Sequence, residues 1–292
     1  MTQYLLKFNE TKLINIIEYS QNQPEIICLN IHGMGSHFQP IIPNPDELSW
    51  RNEYFKLSKY KIQTYGMEFS TNGESYNFKE PKCQIFNFNE LVEELKFVID
   101  FLYKKHNIPI ILLGESLGCA VIIKYLHLFP NPNILKCILL SPLCGIDEKL
   151  KPSPFMVNLL LFISNYFPKF KMAVSKKNIR NSVETFEEFT QAVEQNKYSY
   201  KGNYSLGTMR EIYNISIWIE NLKEFKSCPL FIAHGLKDNI IPPQSSKIFY
   251  DKLVGIDNKL LLLENASHNL LVPNKSGDLT PIYVINEIIK WL

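Results

Sequence analysis

The sequence has no long apolar segment and no excess of charge of either sign. No window approaches the ~20 consecutive apolar residues that a membrane-spanning helix requires. The formal net charge is +2, from 31 basic and 29 acidic side chains, so electrostatics gives no argument for a nucleic-acid partner. The segment from Met1 to Lys7 lacks the apolar core of a secretory signal peptide, and we expect none there. A chain of 292 residues is long enough to bury one sizeable core.

Cysteine is sparse as well, and its spacing matches no metal site. The sequence contains no C-x-x-C pair and no Cys/His spacing of the kind that binds zinc. The six cysteines mostly lie in or beside apolar segments: Cys28, Cys83, Cys119, Cys137, Cys144 and Cys228. We interpret them as buried free thiols of a protein in a reducing, cytoplasmic compartment. The sequence predicts neither a metal nor an organic cofactor.

The most informative motif is Gly-Glu-Ser-Leu-Gly at residues 114–118. An apolar run over residues 108–113 precedes it and a helix-like segment, 117–129, follows, so the pattern predicts a strand, a sharp turn and a helix. In this context the turn is typical of a nucleophile elbow, which places Ser116 at a helix N-terminus where N–H groups stabilise an oxyanion. Strained backbone angles at Ser116 leave room only for small neighbours, hence Gly114 and Gly118. A chance loop is the alternative explanation of this motif taken alone.

An acid and a histidine follow in the chain order that this elbow requires. Asp238 comes after the apolar strand 229–234, and His268 comes after strand 259–263. Because parallel strands place their carboxyl ends at one edge of a sheet, we expect Ser116, Asp238 and His268 to meet there as a catalytic triad.

Other residues compete for these two roles. Asp251 falls inside a helix-like segment and Asp257 precedes a strand, at the wrong end of the sheet, so Asp238 is the better candidate acid. His234 precedes a tight turn and is interpreted as a structural partner rather than a base. An ordinary loop histidine is the alternative for His268.

A fourth element of the site is predicted upstream. The strand-like segment 26–31 ends in His-Gly-Met-Gly at residues 32–35. An oxyanion hole takes one N–H from such a loop and one from the residue after the nucleophile, which makes Met34 and Leu117 the expected donors. Gly33 is expected at the substrate-binding surface, because the chain must bend around the developing charge there without a Cβ atom. A phosphate-binding role for these glycines is the weaker alternative, since no Gly-Lys-Ser/Thr is present.

These motifs together resemble the monoacylglycerol lipase and lysophospholipase-like group of α/β-hydrolases. The resemblance rests on segments 32–35, 114–118, 235–242 with Asp238, and 267–268. Segment 72–75 (Asn-Gly-Glu-Ser) resembles the family's Gly-x-Gly-x-Ser loop but matches it only in part. Three features depart from the family pattern. Glu115 stands where histidine is common, and Gly118-Cys119 stands where Gly-Gly is common. Strand 61–65 leads into Gly66 without the usual aspartate.

Strands and helices alternate over most of the chain, which predicts an α/β fold with a mostly parallel central sheet flanked by helices. The resemblance implies an α/β-hydrolase core formed by residues 1–144 and 208–292. The intervening residues 145–207 break the alternation and contain two helical segments, 154–167 and 183–195. We expect residues 145–207, called the cap below, to be an inserted helical lid.

The first helix of the cap is apolar almost all round, which indicates burial or contact with lipid. Phe155, Leu159 and Phe162 are the predicted substrate-binding residues of this helix. Ordinary packing within the cap and transient docking on a membrane surface are the two explanations for its composition.

The resemblance implies a serine hydrolase that cleaves carboxylic esters of single-acyl lipids, such as monoacylglycerols or lysophospholipids, through an acyl-enzyme. An acyl thioesterase, an acyltransferase or a small-ester carboxylesterase would use the same triad, because the fold does not choose the acceptor. An inactive binding module is the third alternative. The predicted partner is a small acyl-ester lipid, with no nucleic acid.

Overall fold

The computed structural model describes residues 2–19, 23–38, 61–146, 153–171, 187–274 and 277–292, with only the backbone described over 187–190. The strands are β1 (Thr2–Asn9), β2 (Lys12–Glu18), β3 (Ile26–Ile31), β4 (Ile62–Glu68), β5 (Tyr76–Asn77), β6 (Ile110–Glu115), β7 (Ile134–Leu140), β8 (Phe225–Lys226), β9 (Leu230–Gly235), β10 (Leu253–Val254) and β11 (Lys259–Leu263). The helices are α1 (Phe88–His106), α2 (Leu117–Leu128), α3 (Pro154–Tyr166), α4 (Glu187–Gln195), α5 (Leu206–Glu220), α6 (Pro243–Tyr250) and α7 (Thr280–Trp291).

The central sheet of the described residues has the strand order β1-β2-β4-β3-β6-β7-β9-β11, with β5 paired to β2. The hairpin β1–β2 is antiparallel and joins β4 in antiparallel register. From β4 to β11 every neighbouring pair is parallel. This confirms the predicted α/β fold with a mostly parallel sheet. The carboxyl ends of β3, β6, β7, β9 and β11 therefore meet at one edge.

Burial along the strands follows their place in the sheet. The central strands β6 and β9 are buried along almost their whole length, as expected for parallel strands covered on both faces. In contrast, burial in β1 alternates residue by residue, because only one face of this edge strand packs on the protein. Half-buried and exposed side chains accordingly alternate along β1, whereas β6 and β9 show no such alternation.

Helices cover both faces of the sheet and form two apolar clusters. On one face, α1, α2 and part of α5 pack against residues such as Leu29 and Leu112. On the other face, α7 packs against Ile111, Phe231 and their neighbours. The apolar residues that fall on one face of α1 are all buried against the sheet: Leu91, Leu95, Val98, Ile99 and Leu102.

A buried ionic network fixes α1 to the sheet. Lys12 of β2 lies 3.0 Å from Glu94, whose side chain is fully buried, and 2.5 Å from Glu90. Ser70, just after β4, donates to Glu94 through both its N–H and its hydroxyl. Burial alone would lower the pKa of Lys12, but the two carboxylates raise that pKa above its ordinary value. The network therefore joins Lys12 of β2 to Glu94 of α1, and Ser70 joins the segment after β4 to the same carboxylate.

Two of the helices between β7 and β9, α3 and α5, pack on each other. Arg210 of α5 reaches the carbonyl oxygen of Ser164 at 3.3 Å and the side chain of Asn165 at 3.1 Å, which joins α5 to α3. The predicted second cap helix, 183–195, is described from Glu187 to Gln195, and its first residues lie outside the described part of the chain. The division into core and cap stays a prediction. Among the described residues, no helix has the length and apolar character needed to cross a bilayer.

Candidate active site

Ser116 occupies a sharp turn between β6 and α2. Its φ is 53° and its ψ is −113°, values that a residue with a side chain rarely adopts. A Cβ atom at Gly114 would lie 2.8 Å from the backbone nitrogen of Cys119, and one at Gly118 would lie 2.8 Å from the carbonyl oxygen of His32. The turn therefore closes only with glycine at both positions, as the sequence indicated.

Asp238 follows β9 and is held by four hydrogen bonds. Its Oδ1 accepts from the backbone N–H groups of Ile240 at 2.8 Å and Ile241 at 3.0 Å. Its Oδ2 accepts from His268 Nδ1 at 2.6 Å and from His234 Nε2 at 2.8 Å. Burial alone would raise the pKa of Asp238, but the hydrogen bonds from both imidazoles hold that pKa well below its ordinary range. The group is thus a carboxylate at any ordinary working pH.

His268 lies in the loop after β11 and is anchored by its backbone as well as its ring. Ser141, directly after β7, donates its hydroxyl to the carbonyl oxygen of His268 at 2.7 Å. In the same segment, Leu143 N–H donates to the carbonyl oxygen of Ser116 at 3.2 Å, and Ser116 N–H donates to Leu140 at 2.9 Å. The segment after β7 therefore ties the Ser116 turn and the His268 loop to the same sheet edge.

The loop after β3 lies against the Ser116 turn. A Cβ atom at Gly33 would lie 3.2 Å from Ser116 Cβ and 3.8 Å from Ser116 Oγ, so any larger residue there would press on the Ser116 side chain. Phe69 N–H donates to His32 Nε2 at 3.3 Å, which leaves His32 Nδ1 as the donor to the carbonyl oxygen of Gly33 at 2.7 Å. The assignment of Met34 and Leu117 as oxyanion donors stays a prediction.

A small cavity adjoins this loop. Its walls include Met34 and Leu117, and the other lining residues outside the loop are Phe69, Asn72, Cys83, Ile85 and Leu91. The wall is mostly apolar, and Asn72 contributes the amide side chain among its lining residues. Asn72 donates to the carbonyl oxygen of Ser36 at 2.9 Å, so this side chain also fixes the loop.

The predicted substrate-binding residues of α3 do not line that cavity. Phe155, Leu159 and Phe162 are 76%, 38% and 60% exposed, respectively. The only buried side chain of α3 belongs to Ser164, among the described residues of this helix. The apolar surface of α3 is therefore not consumed by packing, and a substrate-binding role for these three residues stays a prediction.

Strand β4 extends further than the sequence indicated and ends in an acid. It runs to Glu68 rather than Tyr65. The Glu68 carboxylate accepts from Asn15 Nδ2 at 2.8 Å, from Phe38 N–H at 2.9 Å and from Glu74 N–H at 2.8 Å. A buried glutamate thus organises the loop at the end of β4, the strand that lacks the aspartate usual in the family that the sequence resembles.

The family described as "Serine aminopeptidase, S33" matches residues 22–274, which is most of the chain and includes Ser116, Asp238 and His268. The chain belongs to this S33 family of α/β-hydrolases.

Two curated proteins resemble this S33 hydrolase in sequence. The caffeoylshikimate esterase of Arabidopsis thaliana is 26% identical over 64% of the chain, and the match spans 55% of the plant protein. The monoacylglycerol lipase of Mycolicibacterium smegmatis is 19% identical over 79% of the chain and 78% of the bacterial protein.

Two solved structures share the fold over almost the whole chain. The monoacylglycerol lipase of Paleococcus ferrophilus superposes with a TM-score of 0.70 at 19% identity, over 100% of this chain and 98% of the other. A soluble variant of the Saccharomyces cerevisiae monoglyceride lipase, solved with a substrate analogue, gives a TM-score of 0.73 at 16% identity, over 99% and 93% of the two chains.

Three residues of the site in this S33 hydrolase were not assigned from the sequence. Ser141 belongs to no motif in the sequence and only follows a predicted strand. Asn72 was assigned only as the first residue of the loop motif 72–75. Tyr204 carries no sequence signal, yet its hydroxyl occupies the space next to Gly35 where a Cβ atom would lie. Each is brought to the site by packing between segments that are distant in the sequence.

Proposed function

We propose that this chain is a serine hydrolase of carboxylic esters, with Ser116 as nucleophile, His268 as base and Asp238 as the acid that orients the base. The observation that carries the proposal is the strained Ser116 turn at the sheet edge where His268 and Asp238 share a 2.6 Å hydrogen bond. Membership of a hydrolase family, together with curated relatives named as an esterase and a lipase, supports ester hydrolysis as the general activity.

The proposed steps are those of a serine triad, built on the hydrogen bond between His268 and Asp238. His268 Nδ1 donates to Asp238, which leaves Nε2 to take the proton from Ser116 as its oxygen attacks the acyl carbonyl. The N–H groups of Met34 and Leu117 are proposed to bind the oxyanion, and removing one such donor costs ~10²–10³ in rate. The alcohol leaves with the proton from His268. Water then attacks the acyl-enzyme, and the carboxylic acid is released.

Single-acyl lipids are the proposed substrates. The supporting observation is the exposed apolar surface of α3, which includes Phe155 and Phe162, in the segment where hydrolases of this group insert a cap. Each buried CH₂ contributes ~0.8 kcal/mol, so an acyl chain lying against such a surface gains affinity with length. The names of the bacterial and archaeal relatives agree with a monoacylglycerol, and a lysophospholipid has the same single acyl chain.

The same surface supports transient contact with a membrane. Phe167 and Phe170 after α3 are 63% and 62% exposed, and Lys169 between them carries an exposed ammonium group. Exposed aromatic side chains next to a cation are typical of segments that lie in a lipid headgroup region. The six cysteines are free thiols, which favours the reducing cytoplasmic face as the location.

A substrate panel on purified protein tests the proposal. Medium-chain and long-chain monoacylglycerols should be cleaved with higher kcat/KM than acetyl esters, and Ser116→Ala should lower turnover by several orders of magnitude while leaving the fold intact. A fluorophosphonate probe should label wild type and not Ser116→Ala. Normal turnover by Ser116→Ala would refute the nucleophile assignment, and a large preference for acetyl esters would refute the lipid assignment.

A small aromatic ester is the second candidate substrate. The observation favouring it is the curated relative of higher identity, 26%, whose name specifies a caffeoyl ester, together with the Tyr204 hydroxyl beside Gly35. Hydroxycinnamoyl esters in the same panel separate the two, since an aromatic esterase should cleave them faster than any monoacylglycerol. Product analysis with added alcohol or thiol acceptors separates hydrolysis from acyl transfer, and acyl thioesters in the panel test thioesterase activity.

A further inference from the structure

Two imidazole rings donate to the same carboxylate oxygen. His234 Nε2 and His268 Nδ1 lie 2.8 Å and 2.6 Å from Asp238 Oδ2. An ionised carboxylate only accepts hydrogen bonds, so both nitrogens are the donors. The side chains of His234 and Asp238 are fully buried, whereas that of His268 is 10% exposed. His234 is therefore enclosed within the protein, whereas His268 is the partner of Asp238 that solvent reaches.

The ring of His234 is held on its other side by α6. Its Nδ1 lies 2.6 Å from the hydroxyl oxygen of Ser246, which is fully buried. Because Nε2 carries the proton given to Asp238, a neutral ring accepts at Nδ1 and Ser246 donates. The hydroxyl of Ser246 thus fixes both the tautomer and the orientation of the ring.

We propose that His234 is a positioning residue for the reaction, which sets the orientation of the Asp238 carboxylate and limits its pull on the charged form of His268. This inference rests on the proposed function of Ser116, His268 and Asp238. Each hydrogen bond to a carboxylate stabilises its negative charge and leaves less of that charge for another partner. With His234 in place, His268 returns its proton to the leaving alcohol more readily.

Removal of the second donor tests the inference through the pH dependence of the reaction. In His234→Leu, Asp238 should hold the imidazolium of His268 more tightly, so the acidic limb of the kcat/KM profile should move up by about 0.5–1 pH unit. The value of kcat should fall about tenfold, because the carboxylate loses its orientation. His234→Gln, the matched control, keeps an N–H donor and should leave the acidic limb near its wild-type position.

The charged residues that neighbour the three proposed catalytic residues in the sequence, or follow their loops, are the same in all of these variants. Lys237 and Glu264 are exposed on the neighbouring loops, Glu115 precedes the nucleophile, and Asp278 follows the His268 loop. None of them is substituted in any of the variants, so a displaced limb reports the loss of the His234 hydrogen bond. Ser246→Ala, which frees the ring without removing it, should move the limb in the same direction by a smaller amount.

A readout that needs no substrate separates this inference from the proposed function. Imidazole NMR titration of His268 in wild type and His234→Leu should give a higher midpoint in the variant. If the midpoint is higher in the variant but the wild-type protein has no esterase activity, the positioning role stands and the proposed function fails. If activity is present but neither the midpoint nor the acidic limb moves, His234 is only structural and the inference is wrong. Should His234→Leu not fold, as judged by circular dichroism, Ser246→Ala decides the question by the same two measurements.

Discussion

Two serines at the carboxyl edge of the sheet have backbone angles that usually require glycine. The φ of Ser116 is 53° and that of Ser141 is 44°. Such conformations cost ~1–3 kcal/mol each and persist only when the surroundings impose them. At Ser116 the strain forms the sharp turn between β6 and α2. At Ser141 it accompanies a hydroxyl that donates to the backbone of His268, so the second serine supports the first.

Ser141→Ala is expected to lower kcat about tenfold with little change in KM, because the His268 loop loses its 2.7 Å anchor while the substrate surface is untouched. Steady-state kinetics on the best ester of the panel provides the measurement. Ser141→Gly is the matched comparison, since it also lacks the hydroxyl but relieves the positive φ. Equal losses in both variants would assign the effect to the hydrogen bond. Wild-type kcat in both would contradict the anchoring role.

At the scale of whole elements, α3 is unusual in leaving its apolar side chains in solvent. Phe155, Phe162 and Tyr166 are 76%, 60% and 68% exposed, and the last two rings pack on each other with centroids 5.1 Å apart. The Ser153 side chain caps its N-terminus and Pro154 begins its first turn, so the helix is well specified locally. What the helix lacks in the described structure is a partner for this surface.

The double variant Phe155→Ser/Phe162→Ser is expected to reduce binding to phosphatidylcholine/phosphatidylserine vesicles about tenfold or more, because a buried phenylalanine contributes ~1.5–3 kcal/mol. Vesicle co-sedimentation gives the affinity. Ile256→Ser removes an equally apolar side chain that is 83% exposed elsewhere and should leave binding unchanged. Short-ester turnover should be spared in both. Equal vesicle binding by wild type and the double variant would rule out membrane contact through α3.

The elements were largely predictable because their signals are local. Strands β3 and β11 have the predicted bounds, and the amphipathic stripe of α1 identified its buried face. The end of β4 was missed, since the buried role of Glu68 depends on Asn15 and Phe38, which are remote in sequence. The sequence indicated Ser116, Asp238 and His268, because each follows a strand. It did not indicate the role of Ser141 or the hydrogen bond from His234 to Asp238, because these contacts join residues that are remote in sequence or separated by a turn. Those contacts require the tertiary packing of three separate loops.

For the whole molecule, the buried Asp238 carboxylate links the active site to global stability. Its pKa is held well below the ordinary 3.8, so the folded state favours the charged form. A group with a depressed folded-state pKa contributes stability above its unfolded pKa and loses that contribution as the pH falls towards the folded value. The protein is therefore stabilised by Asp238 at neutral pH and progressively less so in acid.

Asp238→Asn is accordingly expected to lower the free energy of unfolding at pH 7, and the difference from wild type should shrink as the pH falls below about 4. Urea denaturation at a series of pH values, followed by circular dichroism, measures this difference. Lys247→Ala, which alters an exposed ion pair with Asp251, is the control and should change stability little at any of these pH values. A constant difference between wild type and Asp238→Asn at all pH values would contradict the linkage.

The adjacency of β7 and β9 in the sheet has a consequence for how the chain tolerates change. Their pairing closes a long excursion that leaves the sheet at Leu140 and returns at Leu230. The entropic cost of closing a loop grows only with the logarithm of its length, by ~0.6 kcal/mol for each doubling. Insertions or deletions outside α5, whose Ile215 and Ile219 lie in the core, therefore cost the sheet little. The proposed substrate surface is able to diverge in length and composition while the strand ends beneath it stay in register.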